Sequence, residues 1–205
     1  MPFDVIDLGF CDYKDALVQQ ELFHNKISQN EQKDTIIFVE HDHVYTLGKN
    51  ANDDNILENY PKDVTIHNID RGGDVTYHGP GQLVGYPIFN IKKQNISIGR
   101  YVHTLENILI ETLEEFNISS KIRENLIGVW VGKEKIASIG VRVVNGITKH
   151  GFALNVNTDL SYFNGIIPCG IDNCKVTSME QLLNIKFDFK DIQEVIIKKF
   201  NQYFK

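Results

Sequence analysis

Residues 71–82 hold the densest set of chemically useful residue types in the chain, in the order Arg-Gly-Gly-Asp-Val-Thr-Tyr-His-Gly-Pro-Gly-Gln. Glycine tolerates positive φ and lets a ligand come close to the main chain. Arg71 and His78 are placed among these glycines. Because the segment is too rich in glycine for a helix and too polar for a core, it predicts a binding wall lined by backbone.

Cys169 is the strongest candidate for a nucleophile among the three cysteines of the chain. A free thiol with a pKa of about 8.5 is already a few per cent thiolate at neutral pH, and a nearby cation raises that share. Pro168 fixes the backbone before Cys169, and Gly170 leaves space beside the sulfur. Cys11 and Cys174 have no comparable frame. From these residues alone, a small buried hydrophobic role for Cys169 is equally compatible.

The remaining residues of metal-ligating type do not form the paired clusters of a structural zinc site. Four residues separate Cys169 from Cys174, and one residue separates His41 from His43. We therefore predict no metal site and interpret the two histidines as supports for a loop. Lys135 cannot be distinguished by periodicity from an ordinary solvated lysine.

Short runs rich in Ile, Val, Phe and Thr lie between turn residues, and such runs predict strands. We expect these strands to position the residues named above. Asn145 and Gly146 are the preferred pair for a tight hairpin turn, and a second turn is expected at residues 132–134. Residues 126–156 therefore predict a meander. The predicted strands are residues 35–40, 64–69, 83–88, 126–131, 136–144 and 152–156.

Helical spacing of apolar residues occurs twice and predicts two long helices. Its positions are Val102, Leu105, Leu109, Leu113 and Phe116, and then Ile192, Val195, Ile196, Phe200 and Tyr203. A weaker pattern over residues 16–27 predicts an N-terminal helix. Because the strands come in runs, we predict an α+β fold, with a mixed, mainly antiparallel sheet and helices on one of its faces.

Length and composition favour one soluble domain spanning residues 1–205. A chain of 205 residues with 42% hydrophobic and 23% charged residues is typical of a globular domain. No apolar run reaches the roughly 20 residues that a membrane span needs. The net charge of −6 argues against binding to nucleic acid. Three cysteines and an N-terminus without a secretory signal fit a reducing cytoplasm.

Four segments of the chain, taken together, resemble the octanoyltransferases of lipoate synthesis. Residues 71–82 match that family's pattern Arg-Gly-Gly-x-x-Thr-aromatic-His-x-Pro-Gly-Gln throughout. Residues 135–142 are similar to its lysine segment, residues 150–156 to its His-Gly-x-Ala-Leu-Asn strand, and residues 168–170 to its cysteine loop. The similarity extends in the same order over residues 40–178.

This resemblance implies the catalytic-domain fold of biotin and lipoate protein ligases, which is α+β. It implies that an octanoyl group moves from octanoyl-acyl carrier protein to a specific lysine of an acceptor. The acceptors would be the lipoyl domains of 2-oxoacid dehydrogenase complexes and the glycine-cleavage H protein. No cofactor would be bound, because the acyl donor carries its own phosphopantetheine. We expect a monomer that binds neither nucleic acid nor a membrane.

By the same resemblance, Cys169 would carry the acyl thioester and Lys135 would tune its ionisation. The substrate-binding residues would be Arg71, Gly72, Gly73, Asp74, Val75, Thr76, Tyr77, His78, Ser138, Ile139, Gly140, Gly151, Phe152 and Ala153.

Further expectations concern the surroundings of these residues. Backbone amides around Gly72, Gly73 or Gly170 could stabilise an oxyanion, and His78 could either orient the reacting groups or serve the fold. The apolar walls would be Val75, Tyr77, Leu83 and Ile139. A local basic surface for the acidic carrier protein would include Lys92, Lys93, Arg100, Arg142 and Lys149.

Two other functions remain compatible with the sequence. An ATP-dependent lipoate or biotin ligase of the same fold would use the glycine-rich segment to hold an acyl-adenylate and would need no thiol. A non-catalytic module that binds lipoyl domains would leave Cys169 incidental. The chain contains no Walker A loop, and transfer from a thioester to an amine needs no ATP.

Overall fold

The computed structural model of the protein describes residues 1–171 and 174–204. Its α-helices are Tyr13–Ser28 (α1), Ile98–Glu115 (α2), Met179–Leu183 (α3) and Phe189–Tyr203 (α4). Its strands are Asp4–Phe10 (β1), Thr35–Glu40 (β2), Val44–Leu47 (β3), Thr65–Asn68 (β4), Val75–His78 (β5), Gln82–Ile88 (β6), Lys121–Arg123 (β7), Leu126–Val131 (β8), Glu134–Val144 (β9), Ile147–Asn155 (β10) and Lys175–Val176 (β11).

The strands form one large and one small sheet. The large sheet has the order β1-β2-β6-β10-β9-β8-β7, and β11 adds to the edge of β9. Among the described residues of this sheet, the parallel pairs are β1 with β2 and β11 with β9. The small sheet has the order β4-β3-β5, in which β3 is parallel to β4 and antiparallel to β5. This arrangement confirms the predicted mixed, mainly antiparallel α+β fold.

Helices cover both faces of the large sheet. Ile36 and Phe38 of β2 face the main core, where α2 and α4 pack, whereas Ile37 and Val39 face the core that contains Ala16 of α1. Successive side chains of a strand point to opposite faces, so a strand that is buried throughout needs a cover on each side. The prediction that the helices share one face is therefore wrong for α1.

Turn chemistry fixes the hairpin that carries most of the site. Asn145 has a φ of 54° and Gly146 a φ of 85°, as a two-residue turn with both residues at positive φ requires. Ile147 pairs with Val144 across this turn, and the ladder continues as far as Leu154 opposite Ala137. The predicted hairpin is confirmed.

The glycine-rich segment contains a strand that the sequence analysis did not predict. Val75 and Tyr77 of β5 are fully buried in the core of the small sheet, so this part of the segment is not too polar for a core. Its side chains alternate, and Thr76 and His78 therefore point the other way, towards the cavity described below.

Candidate active site

Cys169 and Lys135 meet at a side-chain contact of 3.0 Å between Lys135 Nζ and Cys169 Sγ. Cys169 is half-buried in a short helical turn, Pro168–Gly170, where its φ is 58°. Such a positive φ is uncommon for a residue other than glycine. Lys135 lies near the start of β9 and is only 3% exposed. A buried ammonium thus lies within hydrogen-bond distance of a thiol that solvent can reach.

Backbone hydrogen bonds tie the segments on both sides of the cysteine loop to the rest of the fold. Ile167 donates its N–H to the carbonyl of Asn55, at 2.8 Å, before the loop turns. Downstream, β11 pairs with the start of β9, and Thr177 donates its N–H to the carbonyl of Lys135 itself, at 3.0 Å. The chain that follows Cys169 is therefore held by the strand that carries the ammonium.

A β-bulge lies at Lys135. Val129 pairs with Ala137, whereas the next residue, Trp130, pairs with Lys135, so Ile136 is an additional residue in β9. Bulges re-aim side chains and are frequent next to active sites. The ammonium of Lys135 also lies 5.6 Å from the centre of the Trp130 ring, a distance that suits a cation–π contact.

A cavity of about 390 Å³ adjoins the Cys169–Lys135 pair. Of the site residues named from the sequence, the following line it: Arg71, Gly72, Gly73, Asp74, Thr76, His78, Lys135, Ser138, Ile139, Gly140, Gly151, Phe152, Ala153 and Cys169. The structure therefore brings together four segments that are far apart along the chain.

Val75 and Tyr77 do not line the cavity, in contrast to the sequence-based expectation. Both side chains leave β5 on its other side and pack in the core of the small sheet. Leu83, expected as an apolar wall, likewise belongs to the main core. The motif covers consecutive residues, but only alternate side chains of a strand can face one cavity.

Several lining residues carried no signal in the sequence. Tyr13 comes from α1, Tyr86 from β6, and Ile98 and Val102 from α2. His150 completes the group, although the sequence placed it in a motif without assigning it to the site. Apart from His150, these residues approach the cavity only through pairing of distant strands and packing of helices, so no local pattern could have assigned them to the site.

Arg71 provides a fixed positive charge on the cavity wall. Its guanidinium donates to the carbonyl of Thr46 at 2.6 Å and to the Thr46 hydroxyl at 2.9 Å, and it forms no ion pair within residues 1–171 and 174–204. Burial lowers the pKa of Arg71, and the negative forms of Tyr13 and Cys169 partly offset that effect. The charge of Arg71 therefore favours an anionic sulfur or oxygen in the cavity.

Three glycines were expected to offer a backbone N–H to an oxyanion, and they differ in whether that N–H already donates a hydrogen bond within the protein. Gly72 donates to the carbonyl of Val141 at 3.0 Å, and Gly170 donates to the carbonyl of Ile167 at 3.1 Å. The N–H of Gly73 donates to no atom of the described residues. Of the three, Gly73 alone retains a donor for a substrate oxygen.

His78 is held as one neutral tautomer by a chain of amide hydrogen bonds. Gln82 Nε2 donates to the carbonyl of Tyr77 at 3.1 Å and to Asn155 Oδ1 at 2.9 Å, so Gln82 Oε1 must face His78 Nδ1, at 2.7 Å. His78 Nδ1 is therefore the protonated nitrogen. Burial lowers the pKa of His78 to about 3. His78 Nε2 is then an acceptor and cannot donate a hydrogen bond to an oxyanion.

His41 is a second neutral histidine beside this chain. His41 Nδ1 donates to the carbonyl of Cys11 at 2.9 Å, and Tyr86 donates its hydroxyl hydrogen to His41 Nε2 at 2.8 Å. Burial lowers the pKa of His41 to about 4 and raises the pKa of Tyr86 well above its usual value. His43 directly precedes β3, and its Nδ1 lies 2.8 Å from the Tyr77 hydroxyl oxygen. The two histidines therefore bond different groups of the fold.

The basic residues expected to form a docking surface do not share one environment. Lys149 is buried and binds Glu21, and Arg142 Nε lies 3.8 Å from a carboxylate oxygen of Asp70. Lys149 therefore cannot contribute to an open basic surface. The other three, Lys92, Lys93 and Arg100, are exposed.

The described residues contain neither a cluster suited to a metal ion nor a helix suited to a membrane. Between residues 1–171 and 174–204, no three His, Cys, Asp or Glu side chains are grouped so that they could hold a metal ion. In the same part of the chain, every helix is too short or too polar to cross a membrane.

Comparison with known proteins gives one consistent result. Residues 12–201 match the lipoyl protein ligase A/B catalytic domain. The chain is 43% identical to an octanoyltransferase of Alkaliphilus metalliredigens over 209 residues, covering 100% of this chain and 96% of that protein. A second octanoyltransferase, from Flavobacterium psychrophilum, is 42% identical over 97% of this chain and 94% of its own length.

A solved structure shows the same fold at much lower sequence identity. The bipartite lipoate protein ligase from Thermoplasma acidophilum, described together with its E2 lipoyl domain, superposes with a TM-score of 0.75 at 15% identity, covering 98% of this chain and 83% of the ligase chain. This similarity confirms the prediction that the chain has the catalytic-domain fold of lipoate ligases.

Proposed function

Because this chain belongs to the lipoyl protein ligase A/B catalytic family and is an octanoyltransferase, we propose that it transfers octanoyl groups through a thioester on Cys169. The donor is octanoyl-acyl carrier protein, and the acceptor is a specific lysine of a lipoyl domain. The observation that carries this proposal is the 3.0 Å contact between Lys135 Nζ and Cys169 Sγ beside the cavity. The enzyme acts as a monomer without a bound cofactor.

In the first step, the Cys169 thiolate attacks the carbonyl carbon of the donor thioester. A bond forms between that carbon and Cys169 Sγ, and the bond to the phosphopantetheine sulfur breaks. The departing thiolate takes a proton from the Lys135 ammonium, which becomes neutral. One thioester replaces another, so the step is nearly isoenergetic. The ammonium 3.0 Å from the sulfur favours the thiolate form that starts the reaction.

In the second step, the neutral amine of the acceptor lysine attacks the acyl-enzyme. A bond between carbon and nitrogen forms, the bond to Cys169 Sγ breaks, and the proton of the attacking amine passes to neutral Lys135. The thiolate and ammonium are thereby restored. Conversion of a thioester to an amide is favourable and requires no nucleotide. Lys135 thus donates a proton in one step and accepts one in the next, the usual role of a general acid and base.

The cavity wall offers groups for the other parts of the reaction. The free N–H of Gly73 and the charge of Arg71 would stabilise the oxyanion of each tetrahedral intermediate, because fixed donors need no reorganisation during reaction. His78 Nε2 would accept a hydrogen bond from an N–H or O–H of the substrate. A volume of about 390 Å³ lies within the range of small-molecule sites, and Ile139 and Phe152 supply apolar wall for the acyl chain.

An ATP-dependent ligase of the same fold is the alternative. Ligases share the architecture, yet the similarity to them is at 15% identity, whereas octanoyltransferases are 43% and 42% identical across nearly the whole chain. A ligase that forms an adenylate also has no use for a thiol beside a buried ammonium. These observations favour the transferase.

The experiment that tests the proposal is acylation without nucleotide. The protein is incubated with octanoyl-acyl carrier protein in the absence of ATP and analysed by intact and peptide mass spectrometry. We expect one octanoyl group on Cys169, and its transfer to an added lipoyl domain. Cys169→Ser should form no thioester, whereas Cys174→Ser serves as the matched control and should be acylated normally. Acceptor modification that requires free octanoate and ATP would favour the ligase instead.

A further inference from the structure

Gly128 is the residue over which the Lys135 side chain passes. It lies in β8, is buried, and has a φ of 127°, a conformation that residues with a side chain rarely adopt. A Cβ atom at this position would lie 2.5 Å from Lys135 Cε and 3.2 Å from Lys135 Nζ. It would also lie 2.6 Å from the carbonyl oxygen of Ala137. The path of the lysine to Cys169 therefore uses the space that any other residue at position 128 would fill.

Glu106 holds Gly128 in place from the helix layer. It lies on α2 and is only 5% exposed, and its Oε1 accepts a hydrogen bond from the N–H of Gly128 at 3.0 Å. Burying a carboxylate is costly, so a buried carboxylate with a backbone N–H as a partner fixes the position of that N–H strongly. Within the described residues and 4 Å, the one basic side chain beside it is His103, whose Nδ1 lies 3.5 Å from Glu106 Oε2.

The β-bulge provides a third, independent feature at the same place. The additional residue, Ile136, lies between Lys135 and Ala137, and both of these residues face Gly128. A regular ladder would keep the side chains of residues 135 and 137 parallel on one face. Three features therefore determine the direction of the Lys135 side chain. They are the bulge, the missing side chain of Gly128 and the buried carboxylate of Glu106.

We propose that Gly128 and Glu106 are positioning residues that aim the Lys135 ammonium at Cys169. This inference rests on the proposed function, since it concerns the same pair of residues. Neither residue lines the cavity. Glu106 fixes the N–H of Gly128, Gly128 leaves the space for the lysine stem, and Lys135 then contacts the sulfur.

The first test measures how readily the Cys169 thiol reacts in Gly128→Ala. The probe is iodoacetamide, and peptide mass spectrometry follows the alkylation of Cys169 from pH 5 to pH 10. We expect the rate at pH 7 to fall about tenfold and the profile to move alkaline by about one pH unit, towards that of Lys135→Met. Alkylation uses no octanoyl donor, so this result is independent of whether the acyl-enzyme forms.

Gly132→Ala is the matched control. Gly132 lies in the turn that joins β8 to β9 and also has a positive φ, of 58°, but a Cβ there would meet no atom within 4 Å. It adds a Cβ at another glycine with positive φ, without contact with Lys135, and we expect the wild-type profile. An unchanged alkylation profile in folded Gly128→Ala would overturn the proposal.

A double-mutant cycle separates positioning from a general structural effect. If Gly128 acts through the lysine, Gly128→Ala added to Lys135→Met should lower the reactivity of Cys169 no further. A further loss equal to that of the single variant would overturn the inference. Should Gly128→Ala fail to fold, Glu106→Ala supplies the test, because it removes the acceptor without adding an atom near Lys135. It should move the profile alkaline, while Glu106→Gln, which keeps an acceptor oxygen, should largely restore it.

Discussion

The two ends of the cavity use buried polar groups in opposite ways. At one end, Lys135 and Cys169 have each other as side-chain partners, and the sulfur lies in a short turn of unusual backbone conformation. At the other end, His78 lines the cavity and the His41 ring lies 6.0 Å from the His78 ring, outside the lining. Both histidines are neutral and are held by amide, hydroxyl and carbonyl groups that strands and adjacent loops position. We call these the reactive end and the closed end.

The difference shows that burial by itself does not make a group reactive. Burial lowers the pKa of His78 and of His41 and leaves both rings without charge, while neighbours occupy their nitrogens, apart from His78 Nε2. Lys135 is as deeply buried, but its ammonium faces a thiol, with which it can exchange a proton. Changes at the reactive end should therefore cost activity, and changes at the closed end should cost stability.

Lys135→Met should have the largest effect, and on activity alone. Loss of the ammonium removes the acid and base of both steps, so the rate of octanoyl transfer should fall by about 100-fold to 10,000-fold. Removal of the ammonium leaves a thiol that can stay protonated, so no uncompensated charge remains buried. The melting temperature should therefore stay constant or rise. Transfer kinetics and calorimetry measure the two quantities.

Lys133→Met is the control for that variant. Lys133 is exposed and stands two residues from Lys135, at the turn between β8 and β9. It should keep wild-type activity and stability. Retention of most of the activity by Lys135→Met would remove the distinction between the two ends of the cavity.

Acid should lower the stability of the protein by protonating His41 and His78 at the closed end. The folded pKa values of His41 and His78 are about 4 and about 3, whereas an unfolded histidine titrates near 6.5. The unfolded chain therefore binds more protons as the pH falls below 6.5, and stability is full above that pH and declines towards pH 4 for His41 and pH 3 for His78. At pH 5, each histidine should cost about 2 kcal/mol relative to pH 7.5, or about 4 kcal/mol together.

Urea unfolding at pH 7.5 and pH 5 measures this dependence. His78→Gln should remove about half of the difference in stability between the two pH values, because the substituted side chain does not titrate. His103→Gln is the control, since the His103 ring is 61% exposed and should contribute little. A pH dependence that is the same in His78→Gln and in the wild type would show that the closed end does not control acid stability.

The sequence predicted the strands that carry the site better than it predicted the side chains that line the cavity. Patterns of β-branched and aromatic residues gave β2 and β8 with the bounds that the structure has, because these strands are short apolar runs between turn residues. The motifs located Cys169 and Lys135, although only a resemblance connected the two. The distance between them depends on the pairing of β11 with β9, which no local pattern encodes.

Other parts of the site depended on tertiary structure that spacing cannot give. Tyr86 and Tyr13 line the cavity because β6 and α1 lie beside it. Gly128 resembled any glycine in an apolar strand until its contact with the Lys135 stem was visible. The motif of residues 71–82 was assigned to the cavity as a whole, yet the alternation of β5 directs Val75 and Tyr77 into the small core.

A pair of glycine substitutions compares both ends of the cavity directly, with smaller expected effects. A Cβ at Gly151 would lie 2.2 Å from the carbonyl oxygen of Gly85 and 2.6 Å from Pro87 Cδ, beside Tyr86 at the closed end. These atoms belong to a paired strand and cannot move aside, so Gly151→Ala should lower the free energy of unfolding by about 2 kcal/mol.

Gly170→Ala makes the corresponding change at the reactive end. Its φ is 65°, and a Cβ would lie 2.6 Å from Asp74 Oδ2. This oxygen accepts a hydrogen bond from Asn55 Nδ2, but it is the end of a side chain and can shift further than the backbone of a paired strand. The loss of stability should therefore be about 1 kcal/mol, the strain of an alanine at positive φ. Because Gly170 follows Cys169, strain at this position should misplace the sulfur. Acylation of Cys169 should slow by about tenfold, which corresponds to an increase of about 1.4 kcal/mol in its activation free energy. Urea unfolding and acylation rates should be measured for both variants. We expect Gly151→Ala to lose more stability, and Gly170→Ala to lose more acylation rate for each kcal/mol of stability lost. The reverse order would mean that the cysteine loop, and not the sheet, stabilises the cavity.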